Sequence, residues 1–222
     1  MYVKAKVDLF GDLKKRVFSS IAIGAVFIIS IFFSKLLFVS SLFIVAYFML
    51  DEWYSITNSS MLDLAIGLFT ITISIACTIL IRLTAPSIIV FLYFAIMWST
   101  DTFAMVGGKL IGGYKLAPKI SPNKTWSGLL TGVLTTGLLA GVIDYTVDLA
   151  QYEGLFNIYN PSMFAISIAV LCQLSDLFVS IFKRKHNIKD SGNVIPGHGG
   201  VLDRFDSMIL SSPIIFLLFA YY

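Results

Sequence analysis

Apolar residues arrive in blocks along this chain, separated by short polar breaks. Residues 17–34, 36–50, 61–81, 86–107, 126–143, 162–182 and 205–221 are nearly continuous apolar runs. Runs near twenty residues match the thickness of a bilayer's hydrocarbon core when wound as helices. Only helices or closed barrels satisfy every backbone polar group in lipid, and the strict period-two alternation of barrel strands is missing. The pattern predicts an all-α polytopic integral membrane protein with seven transmembrane helices, six or eight also being allowed. The second run is short, and Lys35 leaves a tight turn before it. Residues 17–34 are read as a retained span, because no small-residue cleavage site follows and further apolar runs come directly afterwards.

Composition agrees: 57% of the residues are hydrophobic and 13% charged, which excludes a soluble globular domain. Charge placement adds orientation. Lys4, Lys6, Lys14, Lys15 and Arg16 precede the first span. Lys109, Lys115, Lys119 and Lys124 lie between the fourth and fifth, and Lys183, Arg184, Lys185, Lys189 and Arg204 between the sixth and seventh. With seven spans, fourteen of the 16 Lys and Arg share one face, and Lys35 and Arg82 fall on the other. The positive-inside bias makes the N-terminus and both basic loops cytoplasmic. The loop 144–160, with Asp144, Asp148 and Glu153 and no cation, fits the opposite face. A single membrane domain, 1–222, follows: a basic interfacial segment 1–16, N-terminal spans 17–107, and a half 108–222 carrying two basic loops. Cys77 and Cys172 sit inside apolar runs without metal spacing and read as packing residues.

Residues 180–206 are the densest polar stretch, with five cations, three carboxylates, both histidines and four glycines. Cations, close-approaching Gly backbone and Asp oxygens together point to a phosphate and metal site. Asp101 in the fourth span and Asp176 in the sixth are intramembrane acids, for which function is the default reading and a structural partner the alternative. Asp203 and Asp206, three apart, share a face if helical. Asp203 could simply cap a helix; the sharper reading pairs it with Asp176 across two helices as Mg²⁺ ligands. His198, in Pro196-Gly197-His198-Gly199-Gly200, is a candidate for direct contact with substrate, whereas His186 reads as part of a solvated basic face. Zinc is disfavoured, since no Cys or second His stands at ligand spacing.

The other basic loop runs from Gly107 to Trp126. It does not match a P-loop, and its Ser121-x-x-Lys124 spacing lacks the companion motifs of penicillin-binding enzymes. It remains a Lys-rich loop entering a helix at Thr125, suited to polyphosphate, with membrane-surface anchoring as the plainer alternative. Gly128/Gly132 and Gly137/Gly141 give small-xxx-small spacings that predict close helix packing and no chemistry.

Ser180, Lys183, Arg184, Lys189, Asp190, Gly192, Pro196, His198, Gly199, Gly200, Asp203, Arg204 and Asp206 together resemble the signature of the phosphatidate cytidylyltransferases, also called CDP-diacylglycerol synthases. The resemblance extends to Asp101-Thr102-Phe103-Ala104, Lys115-Leu116-Ala117-Pro118, Ser121 to Trp126 and Ser175-Asp176-Leu177, and is weak in the N-terminal half. It implies condensation of CTP with phosphatidate to CDP-diacylglycerol and pyrophosphate, using Mg²⁺ and in some cases a monovalent cation such as K⁺. Asp176 and Asp203 correspond by position to the family's metal-binding pair. On this reading Lys124, Lys183, Arg184 and Arg204 neutralise phosphate oxygens beside His198. Lys119, Ser121, Asn123, Thr125, Lys189, Asp190, Gly197, Gly199, Gly200, Asp101 and Asp206 line the substrates. The setting implied is a bacterial-type inner membrane with the site on the cytoplasmic side, no nucleic-acid partner, and a homodimer allowed. Rival expectations are a CTP-dependent lipid-alcohol kinase, a cytidylyltransferase for another phospholipid acid and, more remotely, an ion or phosphate transporter. Transport would favour inverted repeats and paired broken helices, and neither is visible in the sequence.

Overall fold

The computed structural model describes residues 24–147, 160–195 and 199–221. The basic segment 1–16, most of the acidic loop 144–160, and Gly197 and His198 lie outside the described residues. The architecture is helical: α1 (Gly24–Phe33), α2 (Lys35–Thr57), α3 (Met61–Thr84), α4 (Ser87–Ile111), α5 (Trp126–Val147), α6 (Pro161–Lys185), the single turn α7 (Leu202–Phe205) and α8 (Met208–Tyr221). One antiparallel hairpin, β1 (Lys115–Ala117) and β2 (Ser121–Thr125), interrupts them.

Local chemistry sets the boundaries. Ser34 and Ser60 cap α2 and α3 through their hydroxyls, and Asn160 Oδ1 accepts from the Ser162 and Met163 N–H groups with Pro161 in the first helical turn. Among the described residues, the five helices α2 to α6 are long and apolar enough to cross a membrane. Leu36, Phe69, Leu110 and Leu138 remain exposed along them, as a lipid-facing surface requires. The fold is that of an integral membrane protein.

The predicted run 205–221 is two elements. The turn α7 ends at Phe205, and α8 restarts at Met208 with only 14 residues and Pro213 inside it. Ser175 of α6 makes the break tolerable: its hydroxyl donates to the Asp206 carbonyl and accepts from the Leu210 N–H at 3.0 Å. Backbone freed inside a bilayer needs such partners.

Both small-residue spacings act as predicted. A Cβ on Gly128 would lie 2.5 Å from the Ala104 carbonyl oxygen, and one on Gly132 would lie 2.7 Å from that of Thr100, so this pair seats α5 on α4. Gly137 and Gly141 meet Ile166 and Ser162 of α6 instead. The α4–α5–α6 helices are therefore closely packed in sequence order, with α8 packed against α3 and α6.

Charge marks the two ends of the bundle. Lys35 Nζ donates to the Leu83 carbonyl and Arg82 Nη2 to that of Ile31, placing these two cations together at one end. At the other end Arg184 Nε donates to the Ile120 carbonyl, joining the described parts of both basic loops. His186 is not on a solvated face: its Nε2 lies 2.9 Å from Asp63 Oδ2, beside a 2.7 Å Lys185–Asp63 ion pair that ties α6 to α3.

Candidate functional site

The site is assembled where α4 ends. Gly112 (φ 68°) and Gly113 (φ 99°) adopt left-handed backbone, which turns the chain out of α4 and into the hairpin. The register Lys115↔Thr125 and Ala117↔Ser121 returns the chain to the head of α5. There Thr125 Oγ1 accepts the Gly128 N–H at 3.1 Å and anchors β2 to the helix. Lys124, one residue earlier, is thereby held across the top of α6.

Lys124 Nζ lies 2.6 Å from Asp176 Oδ2 and donates to Gln173 Oε1 at 3.0 Å. Gln173 Nε2 donates to Asp101 Oδ1 at 2.8 Å, and Ser207 Oγ donates to Asp101 Oδ2 at 3.3 Å. Asp176 Oδ1 accepts from Ser180 at 3.2 Å. Gln173, Asp176 and Ser180 are spaced so that one face of α6 carries the whole relay. Two helices, α4 and α6, the hairpin and the α7–α8 break therefore converge on one polar network.

A second ion pair closes the far wall. Lys183 Nζ lies 2.7 Å from Asp203 Oδ1, while Asp203 Oδ2 accepts the N–H groups of Ser191 at 2.9 Å and Gly200 at 3.2 Å. Burial would raise the Asp203 pKa, but the adjacent ammonium and the two N–H donors outweigh it and hold the carboxyl below its ordinary value. The Ile195–Gly199 bridge and the positive φ of Gly199 fold the loop back onto Asp203.

Between these walls lies a cavity of about 730 Å³ lined by Asp101, Asp176, Asp203, Asp206, Lys109, Lys115, Lys124, Arg204, Asn123, Thr125 and Gln173, among others. The sequence-predicted residues brought together are thus Asp101, Asn123, Lys124, Thr125, Asp176, Asp203, Arg204 and Asp206. Lys183 stands behind them, buried against Asp203. The Arg184 guanidinium donates to the Ile120 and Ile188 carbonyls, and neither it nor Lys119, Ser121, Lys189 or Asp190 is in the lining. Gly199 and Gly200 pack beside Asp203. Lys109 and Lys115 enter the sequence reading only as charges of the basic loop, and Gln173, three residues before Asp176, is a lining residue with no reading of its own there.

Mg²⁺ fits the chemistry of this donor set. Asp176 and Asp203 offer hard carboxylate oxygens on one cavity, and each already holds a cation, a lysine ammonium. Among the described residues no three acidic, His or Cys side chains are grouped closely enough to enclose a metal ion. Substrate oxygens and water would complete such an ion's shell.

A polar cavity holding both signs of charge, set into a bundle of lipid-facing helices, defines a membrane protein with a binding site for an ionic ligand. The model of the cytidylyltransferase family matches residues 60–222. Over 97% of its length the chain is 49% identical to a Rickettsia bellii protein named phosphatidate cytidylyltransferase, covering 96% of that protein. Relatives of the same name from Rickettsia conorii (49% identical, 98% of each chain) and Rickettsia prowazekii (47%, 93% of this chain and 91% of the relative) align nearly end to end. The chain belongs to the cytidylyltransferase family and is a nucleotidyltransferase.

Proposed function

We propose that the protein condenses CTP with phosphatidate to give CDP-diacylglycerol and pyrophosphate at the cytoplasmic face of a bacterial inner membrane. The observation that carries this reading is the cavity, where Lys109, Lys115, Lys124 and Arg204 face four carboxylates between helices that border lipid. Near end-to-end likeness to relatives bearing that name supports the substrates.

A phosphate oxygen of phosphatidate attacks the α-phosphorus of CTP, a new P–O bond forms, and the bond to the β-phosphate oxygen breaks as pyrophosphate leaves. The nucleophile is already anionic near neutral pH, so no strong general base is required. The barrier lies in aligning two mutually repelling anions and neutralising the charge that builds on the leaving group. Lys124 can exchange Asp176 for a phosphate oxygen without leaving the cavity. Arg204 offers a planar fork for a second phosphate, and Lys109 and Lys115 add positive potential at the mouth. Asp176 and Asp203 would hold Mg²⁺, which when bound supplies charge neutralisation on the triphosphate. Lys183 keeps Asp203 ionised and fixed in place. The acyl chains remain among the lipid-facing helices.

The test is pyrophosphate release from CTP by the detergent-solubilised protein, with and without phosphatidate and Mg²⁺. Release that needs both supports the reading. Release of CDP in place of pyrophosphate would make the protein a kinase and overturn it, as would release indifferent to phosphatidate.

A further inference from the structure

Glu52 lies on α2, before the first residue matched by the family model, in the half of the chain where the sequence signature is silent. It is nevertheless buried, at 4% exposure, and every contact its carboxylate makes among the described residues is with the loop carrying Asp203. Glu52 Oε1 accepts the Val201 N–H at 2.9 Å. Its Oε2 accepts the Leu202 N–H at 2.8 Å and the Ser191 hydroxyl at 2.8 Å. The loop has shed side chains to come this close: a Cβ on Gly192 would lie 2.8 Å from Glu52 Oε1, and one on Gly200 would lie 2.4 Å from Oε2.

Ser191 joins two carboxylates, its hydroxyl bonding Glu52 and its backbone N–H bonding Asp203. The outgoing strand is shared in the same way, with Gly200 N–H on Asp203 and the next two N–H groups on Glu52. Glu52 and Asp203 therefore clamp one loop from opposite sides. Glu52 itself rests on a rigid footing, because the adjacent Trp53 is fully buried, donates to the Asp63 carbonyl at 3.0 Å and fills the space left by Gly67 on α3.

We propose that Glu52 is a positioning residue for nucleotidyl transfer: it fixes Ser191 and the Gly200–Leu202 segment on α2 and so sets where Asp203 and Arg204 stand in the cavity. A buried carboxylate satisfied by several donors is costly to disturb, since removing an acceptor leaves buried N–H groups without partners. Displacing a reacting geometry by about 1 Å can cost on the order of a hundredfold in rate. Lys109, Lys115 and Lys124, on separate elements, keep their share of substrate binding, so the loss falls more heavily on kcat than on KM.

The inference rests on the phosphatidate cytidylyltransferase reading, and the wild-type protein in the same assay tests that reading separately. The experiment compares Glu52→Gln, Gly192→Ala, their double variant and Asp51→Asn, an exposed neighbour, as full-length protein in detergent. Thermal unfolding gives the folded fraction of each. Per folded molecule, Glu52→Gln and Gly192→Ala should each lower kcat roughly 10- to 100-fold, with KM for CTP changed by a clearly smaller factor. The double variant should be far less impaired than the product of the two, because both break one contact, and Asp51→Asn should match the wild type. Wild-type kcat per folded molecule in either single variant overturns the inference, as does an additive double variant. If Glu52→Gln does not fold, Gly192→Ala alone decides on the same kcat and KM criterion. An inactive wild type would instead overturn the functional reading.

Discussion

The cavity has two lysine–aspartate pairs, and they are built differently. Lys124–Asp176 is formed by a hairpin lying over a helix, and its side chains keep 18% and 23% exposure. Lys183–Asp203 is formed by the end of α6 and the α7 loop, with 9% and 12% exposure and two further backbone donors on the carboxylate. The open pair costs less to part, since water reaches both of its side chains more than those of the closed pair and screens their charges. The closed pair cannot, because stripping one partner leaves a buried charge and costs roughly 3–5 kcal/mol. One pair is arranged to trade partners with an incoming phosphate, and the other to keep its shape while that happens.

Asp203→Asn breaks the comparison most severely. It should lower turnover roughly a hundredfold or more and also depress thermal stability, because Lys183 loses its counter-charge in a buried position. Activity per folded molecule together with an unfolding midpoint checks both. Lys124→Met should lower turnover on the order of tenfold to a hundredfold and raise KM for CTP. It should lower the unfolding midpoint less than Asp203→Asn does, since the pair it removes is the more solvated of the two. If both substitutions destabilise equally, the distinction between a working pair and a structural pair fails. Arg184→Ala should cost less again, about 1–3 kcal/mol of local stability from two orphaned carbonyls, and should loosen the hairpin that carries Lys124. Proteolysis at 115–125 would report that. Lys35→Ala, at the opposite end of the bundle, should leave turnover within about twofold of wild type, its exposed bond to the Leu83 carbonyl being a weak one.

The closed pair also shows where sequence reading reaches its limit. Asp176, Asp203 and Lys124 were legible because intramembrane acids and basic loops carry their own signal, and a dense motif fixed their spacing. The helix-packing glycines of α5 were legible because small residues four apart act locally. Glu52 was not: its partners are 139 to 150 residues away and two of the three are backbone N–H groups, which leave no trace in residue identity. Gln173 was hidden for a related reason, being an amide whose value depends on having Lys124 on one side and Asp101 on the other. The 205–221 run misled because hydrophobicity continues across the α7–α8 break, and the break is made possible by Ser175 on another helix. His186 looked solvated within its own cationic segment, where Asp63 on α3 could not be seen.

The smallest expected effect separates the two pairs by pH. The folded-state pKa of Asp203 lies below the ordinary carboxylate value, with Lys183, Ser191 and Gly200 overcoming the cost of burial. A depressed carboxylate stabilises the fold fully above its unfolded pKa, about 3.9, and loses that contribution as pH falls toward the folded value. The Asp203 latch is therefore intact from about pH 5 to 8, and changes in rate across that window belong to the substrates and the open pair. Phosphatidate carries a phosphate monoester, whose second ionisation lies near pH 6. Turnover should fall below that point while the unfolding midpoint does not follow it. Below about pH 4 the wild-type midpoint should drop, and Asp203→Asn, which has no carboxyl to protonate, should drop by less. Parallel curves for the two proteins would show that Asp203 is not what the loop is latched to.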